Sequence, residues 1–337
     1  MGKTEEQTVR FEKDDINLEE TDYVGAAKIA LVVLVGGLLA LPIVIGSSYL
    51  SFVAISIMIF AIMATGYNVM LGWSRLLVFC PSALAIIGGV TSVLLMKIFG
   101  VPFLLAMLIG GILAGVVGAG IAYSAIIIKS VFEIVIATLA FEQLVFYLLT
   151  NWDRVGSTGI QDVPDPSLGP MVFTSLTEQY ALLLVLLTLS VFLIAIFDQS
   201  LTGILTIATS EDEDLLQSIG YSPGKYKLVS IMLGAFLLGI GGALYAHING
   251  LITPGQFTLQ QSVLLVVIVA LGGLRTVRGP VVGAIIMVGL PEVIRSFGLG
   301  EIRAYLIGLT LIGVILVMPK GVLGTFYEWS DKRRQRG

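Results

Sequence analysis

Apolar residues in this chain fall neither at the period of a strand nor in the single stripe of a helix half in water. They form unbroken runs of about 20 residues, the length that crosses a bilayer core as a helix. Runs lacking Asp, Glu, Lys and Arg cover 29–50 and 49–73, hinged at Gly46, Ser47 and Ser48, then 76–96 and 101–128, parted by Lys97 and Gly100. Residues 131–150 form a fifth span that carries two acids, and 179–197 a sixth. From Leu228 to Leu274 there is no charged residue, a length that needs two passes, with Thr253, Pro254 and Gly255 as the natural turn. Runs 279–297 and 302–319 complete about ten transmembrane helices, an all-α polytopic membrane protein.

Composition agrees and narrows the class. Of 337 residues, 56% are hydrophobic and 12% charged, about half the ~25% charge usual in soluble domains. No polar block of domain size remains for a soluble enzyme on one anchor. A net charge of −4 and the absence of a basic stripe exclude nucleic acid as a partner. One cysteine, Cys80, and one histidine, His247, leave no disulfide and no metal cluster to build.

Basic residues set the direction. With ten spans, fifteen Lys and Arg fall on one side, among them Arg75, Lys225, Lys227, Arg275 and the tail from Lys332 to Arg336; only Lys97, Arg154, Arg295 and Arg303 fall on the other. The positive-inside rule then puts both termini in the cytoplasm. Residues 1–24 are read as an acidic cytoplasmic tail and not a signal peptide, since 1–22 hold eight acids against three bases and no apolar core. Residues 25–325 are the transmembrane domain and 326–337 a basic cytoplasmic tail. Two long loops face opposite compartments, 151–178 outside and 198–227 inside, and are expected to receive partners.

Small residues crowd two spans, Gly111, Gly115, Gly118 and Gly120 on the fourth and Gly234, Gly239, Gly241 and Gly242 on the seventh. Close helix packing is the expectation. Glu142 lies near the middle of the fifth span, where a lone carboxylate is costly. It is expected to be neutral or paired, either hydrogen-bonded to a neighbouring helix, the favoured reading, or lining a pathway. Glu292 with Arg295, and His247, are read as groups near the outer interface. The sequence Cys80-Pro81-Ser82 breaks the third span near its inner end, and Arg278-Gly279-Pro280 opens the ninth. Around these breaks Leu71-Gly-Trp-Ser-Arg75 and Leu271-Gly-Gly-Leu-Arg275 share an LGxxR pattern, a weak sign of an internal repeat. No catalytic or P-loop motif is present in the sequence, so this chain has no ATPase of its own.

In the inner loop Ser210 and Glu213 read as a capping box with acids Glu211, Asp212, Glu213 and Asp214 in the first turn. Leu215, Leu216 and Ile219 follow as an apolar stripe that stops at Gly220. A short amphipathic helix with an acidic start fits a groove on another protein better than anionic lipid.

The run from Glu211 to Gly220, Tyr226-Lys227, Gly241 to His247 with Thr253-Pro254, Leu271-Gly-Gly273 with Arg278-Gly-Pro280, Leu290-Pro-Glu-Val293 and Met318 to Leu323 resemble the LivM-type permease subunits of branched-chain amino acid ABC importers. Ile136 to Glu142 and the outer Gly156 to Ile160 with Val163-Pro164 follow the same pattern, so the resemblance covers residues 25–325. It implies the ABC importer permease fold in a prokaryotic plasma membrane. It also implies a pathway for branched-chain or other small amino acids, a related permease as partner in a homo- or heterodimer, two ATPase subunits that bind ATP and Mg, and an extracytoplasmic solute-binding protein.

On this resemblance the coupling helix comprises Ser210, Glu211, Asp212, Glu213, Leu215, Leu216, Ser218, Ile219 and Gly220. The candidate pathway residues are Asn68, Pro81, Ser82 and Glu142, and the outer residues facing the binding protein are Gly156, Thr158, Gly159 and Asp162. No cofactor or metal is expected on this chain. Two departures stand out. Residues 72–82 lack the family's polar, histidine-bearing stretch, which leaves urea or a short amide as an alternative solute. The arginines that usually precede the coupling helix are replaced by Gly203 to Thr209. An ATP-independent secondary carrier is the less favoured alternative, for want of intramembrane acids.

Overall fold

A computed structural model describes residues 48–292 apart from 129 and 170. The spans expected at 302–319 and at 29–50, up to its last three residues, lie outside the described residues. So do the terminal tails and the far end of the span expected at 279–297, with Arg295. Within the described part the chain is almost entirely helical, and seven helices are long and apolar enough to cross a membrane.

Helix α1 (Ser48–Asn68) ends in a π-helical turn, Val69–Trp73, and α2 (Pro81–Phe99) and α3 (Phe103–Ile127) follow. Helix α4 (Val131–Thr150) leads to the outer loop, which holds a two-residue hairpin of β1 (Ser167–Leu168) and β2 (Met171–Val172). Next come α5 (Leu176–Gln199), α6 (Leu201–Glu211), α7 (Glu213–Ser218) and α8 (Pro223–Asn249). A 3-10 turn (Pro254–Gln256) reverses the chain where Thr253-Pro-Gly was expected to, before α9 (Leu259–Gly272) and α10 (Gly279–Ala284).

Helix α8 is the centre of the bundle, packed by α1, α2 and α3. Glycine makes this approach possible. A Cβ on Gly239 would lie 2.6 Å from the Ala114 Cβ, and one on Gly234 would lie 2.6 Å from the Gly66 carbonyl. Helix–helix attraction in lipid rests on such close backbone contact, so the glycines of α3 and α8 are packing surfaces, as expected. Gly120 is the exception, with open space beside it. Helix α4 is peripheral: 22% of its membrane window is buried against 67% for α8. A cleft of about 250 Å³ lined by Val117, Ile121, Ile134 and Phe141 separates it from α3.

Two expectations need correction. The third span was expected over 76–96, but residues 75–80 are not helical and α2 begins at Pro81. Proline lacks an N–H and fits the first helical position, whereas further inside it would clash with the preceding turn. The segment before it is non-helical, with Leu76, Val78 and Cys80 buried. Its polar backbone is met by side chains: the Tyr67 hydroxyl donates to the Val78 carbonyl at 2.9 Å, and the Phe79 N–H to Thr138 Oγ1 at 3.1 Å. Such bonding lets non-helical backbone exist inside a membrane protein.

The second correction concerns Ser210. It lies inside α6, its hydroxyl turned back to the Ile207 carbonyl at 2.7 Å. The N-cap of the next helix is Asp212, which accepts the Leu215 N–H at 2.9 Å. Ser200 already caps α6 through the Gly203 N–H, and the following residues carry that helix through Ser210 to Glu211. Capping boxes occur instead at Ser175 with Glu178, at the start of α5, and at Thr253 with Gln256, at the 3-10 turn. Gly220 does end the α7 turn, with φ +90°.

Candidate functional site

The break before α2 builds a polar cluster from three helices. The α2 N-terminus offers N–H groups without helical partners. Pro81 has none to offer, the Ser82 N–H donates to Ser262 Oγ on α9 at 3.1 Å, and the Ala83 N–H donates to Glu142 on α4 at 3.4 Å. The Ser82 hydroxyl also donates to Glu142. The Ser262 hydroxyl lies 3.1 Å from both carboxylate oxygens. Ser82, Glu142 and Ser262 are all buried. Glu142 therefore acts as a remote cap on α2, set where the helix dipole favours negative charge. This is the bonding to a neighbouring helix that its sequence position favoured.

Of the four candidate pathway residues, Pro81, Ser82 and Glu142 meet here and Asn68 does not. Asn68, at the end of α1, accepts the Arg275 N–H at 3.2 Å and donates to the Thr276 carbonyl at 2.9 Å. It thereby fastens the π-helical turn to the α9–α10 connection. Arg75 and Arg275, the matched ends of the two LGxxR segments, both adopt left-handed backbone, φ 50° and 60°. Each is followed by a helix opening on or next to a proline, so the sequence echo has a structural counterpart. Sequence reasoning missed Ser262, whose one signal is a hydroxyl next to Gln260 and Gln261 at the start of an apolar run. It also missed Thr138, one turn before Glu142.

At the same end of the bundle as Arg75 and Arg275 lie α6 and α7. Leu216 is buried, whereas Leu215 and Ile219 are 62% and 64% exposed, so the expected apolar stripe is split between inward and outward faces. Glu211, Asp212, Glu213 and Ser218 are exposed around them. The helices are held by Trp73 Nε1 donating to Asp198 at 2.8 Å, by an Arg275–Glu211 pair at 3.6 Å and by a Lys227–Glu213 pair.

At the opposite end the outer loop is clamped to α8. Ile160 and Ile252 form a two-way backbone bridge of 2.9 and 3.1 Å, and the Val163 N–H donates to the Gly250 carbonyl at 3.1 Å. Gly159 has φ +75° and a side chain there would collide with Ile252. Gly156 and Asp162 are also left-handed, at φ +68° and +52°, and Thr158 is exposed. His247 lies in the last turn of α8, near the end of the span, and is fully buried there, its Nδ1 2.8 Å from the Pro164 carbonyl and its Nε2 2.9 Å from Ser92 Oγ. Glu292 is hydrogen-bonded by Tyr49 at 2.5 Å. Among the described residues no group of His, Cys, Asp and Glu is arranged to hold a metal.

Comparison with known proteins places this geometry in context. The profile of the family described as branched-chain amino acid transport system / permease component matches residues 49–315. The chain is 28% identical over 291 residues to the high-affinity branched-chain amino acid transport system permease protein LivM of Escherichia coli, covering 79% of this chain and 68% of that one. It is 26% identical over 275 residues to a probable branched-chain amino acid transport permease protein LivH of Methanocaldococcus jannaschii, covering 76% of this chain and 85% of that one. No solved structure matches.

Proposed function

The chain belongs to the family of branched-chain amino acid transport permeases and is a multi-pass permease subunit of an ABC importer; from that premise we propose that it forms the pathway for branched-chain or other small amino acids together with a second, related permease. The observation that carries the reading is the extent of the match, which begins at the start of α1 and runs past the last described helix. It is not an enzyme, and ATP hydrolysis belongs to partner subunits.

In this reading ten spans cross a prokaryotic plasma membrane with both ends in the cytoplasm. Helix α7 with the end of α6 seats in a groove of an ATPase that binds ATP and Mg, presenting Leu215 and Ile219. The clamped outer loop, with Gly156, Thr158, Gly159 and Asp162, receives a solute-binding protein. Pro81, Ser82 and Glu142 stand behind the pathway as its fixed support, and Asn68 joins the two helix breaks.

The test is uptake into reconstituted vesicles. Leucine accumulation that requires ATP, the ATPase subunits and the binding protein is expected, and accumulation by this chain alone without ATP refutes the reading. The departure of residues 72–82 from the family pattern supports a second solute class, so urea and a short amide belong in the same assay as competitors. Competition by urea with none by leucine reassigns the solute and leaves the importer assignment standing.

A further inference from the structure

Consecutive helices joined by a short connection are expected to pack as antiparallel neighbours. Helices α3 and α4 do so poorly: residues 128–130 alone join them, yet the cleft of about 250 Å³ holds them apart. Gly120 on the α3 wall marks the difference. A Cβ on Gly118 would lie 2.5 Å from the Ala235 Cβ, and one on Gly115 would lie 3.2 Å from the Met232 carbonyl. One on Gly120 would meet nothing within 4 Å. The glycine that faces the cleft therefore does not serve packing within this chain, as its neighbours do.

The floor of the cleft is buried and its mouth is open. Ile121, Ala125, Ile134 and Thr138 form the floor, and the exposed residues Gly120, Ser124 and Ala137 form the rim. Near the rim the helix surfaces are exposed hydrocarbon, with Val116 and Ile127 on α3 and Ile136 and Ala140 on α4. Both lining hydroxyls are spent. Ser124 Oγ donates to the Gly120 carbonyl at 3.1 Å, and Thr138 Oγ1 donates to the Val135 carbonyl at 3.0 Å while accepting the Phe79 N–H. No charged or amide side chain lines the space. A zwitterionic amino acid would find no donor for its carboxylate there, and a carboxylate taken out of water without one is costly.

Size selects among apolar occupants. The lining runs from Val117 to Ile128 on α3 and from Ile134 to Phe141 on α4, about 16 Å and 10 Å along the axes at ~1.5 Å per residue. A helix of another subunit, about 10–12 Å across, takes up roughly 800 Å³ or more over 10 Å of its length, far beyond this space. A single hydrocarbon chain is about 4.5 Å wide, given carbon contacts near 4 Å, and takes up roughly 160–250 Å³ over 10–16 Å. The slot therefore matches one such chain in length, direction and volume. Left empty, its walls would lose the dispersion contacts that a chain supplies.

We propose that the α3–α4 cleft is a binding site for one acyl chain of a membrane phospholipid, seated against Ile121, Ala125, Ile134 and Thr138 and admitted past Gly120. This goes beyond the importer reading and takes from it only that these helices lie in a membrane. The chain acts as a wedge beside α4. Thr138 on the cleft floor holds the Phe79 N–H of the non-helical segment before α2, and Glu142, one turn further along α4, caps α2. Because only 22% of the α4 membrane window is buried by protein, a lipid chain filling the cleft steadies the helix that carries both bonds.

The experiment is native mass spectrometry of the full chain with its partner subunits, released from nanodiscs of phosphatidylglycerol and phosphatidylethanolamine. Gly120→Leu and Ala137→Leu fill the cleft from opposite walls, the first where no atom stands in the way. Ile112→Leu, exposed and outside the cleft, is the control. Phospholipid retained by the parent and the control, with occupancy at least fivefold lower in both filling variants, is the expected result. Equal retention by all four proteins, or none by the parent, overturns the proposal. So does loss of the second permease or of leucine uptake from a filling variant that keeps its lipid, which assigns the cleft to a subunit seam or to the solute. A second measurement needs no variant: a phospholipid with a photoreactive diazirine in its acyl chain is cross-linked to the parent and the labelled peptides are mapped. Labelling of 117–128 and 134–141 at least threefold denser than that of 105–116 is expected, and even labelling along α3 counts against the site.

Discussion

Leu215 and Ile219 project from α7 and its end with 62% and 64% of their surface exposed, while Leu216 between them is 4% exposed. Replacing both outward residues by Asp separates docking from folding. Full burial of a Leu or Ile side chain is worth about 1.5–3 kcal/mol. The exposed fraction of each, when covered by an ATPase groove, contributes about 1–2 kcal/mol, and the pair about 3 kcal/mol. At ~1.4 kcal/mol per tenfold, Leu215→Asp with Ile219→Asp weakens ATPase binding by roughly 100-fold, before any cost of carrying two carboxylates into the groove. Because most of each side chain lies outside its own chain's packing, the thermal midpoint of the isolated subunit changes far less than ATPase affinity. Leu216→Ala has the reverse signature: a core truncation of about 2–3 kcal/mol lowers the midpoint, and ATPase affinity of the remaining folded protein is kept. Titrating labelled ATPase onto the detergent-solubilised subunit, with a melting curve for each variant, measures both. An ATPase affinity unchanged in the double Asp variant refutes the docking argument.

Two further contrasts follow from the buried networks. Glu142→Ala leaves the Ala83 N–H without its acceptor, at about 1–3 kcal/mol, while the Ser82 and Ser262 hydroxyls fall back on each other and on the Thr258 carbonyl, so the thermal midpoint falls; Glu142→Gln keeps an acceptor oxygen and falls by less, and equal losses in the two variants would disprove the capping role. Asn68→Ala removes both bonds to the α9–α10 connection at a buried position and destabilises by about 2 kcal/mol, whereas Arg275→Met breaks an exposed ion pair worth less than ~1 kcal/mol; the ranking is read from melting curves.

Span positions were legible because lipid imposes one requirement, a run of apolar residues long enough to cross, and the runs from 49, 101, 131 and 179 match α1, α3, α4 and α5 closely. Where the chain leaves helical form inside the bundle the requirement lapses. Leu76 to Phe79 are as apolar as any span, and only the tertiary partners Tyr67 and Thr138 let them stay non-helical. Capping was misread for a related reason. Ser210 and Asp212 are both good caps, and the choice was made upstream, where Ser200 starts a helix that runs through Ser210. The acid at 142 was visible as an anomaly, but its donors come from residues 60 and 120 positions away. The burial of His247 was not legible because position along a span says nothing of which side faces the bundle.

Helix α8 is gripped at both ends. At one, His247, Gly250 and Ile252 hold the outer loop; at the other, Lys227 and the Tyr226 carbonyl hold the segment that carries α6 and α7. The helix itself has 27 residues, a rod of about 40 Å at ~1.5 Å per residue. A helix is stiff along its axis, and this one has no proline past its first turn to absorb strain. A push on the loop held at one end is therefore delivered along the whole length of this helix in a single mechanical stroke, and a pull from the α6–α7 end travels back by the same shaft.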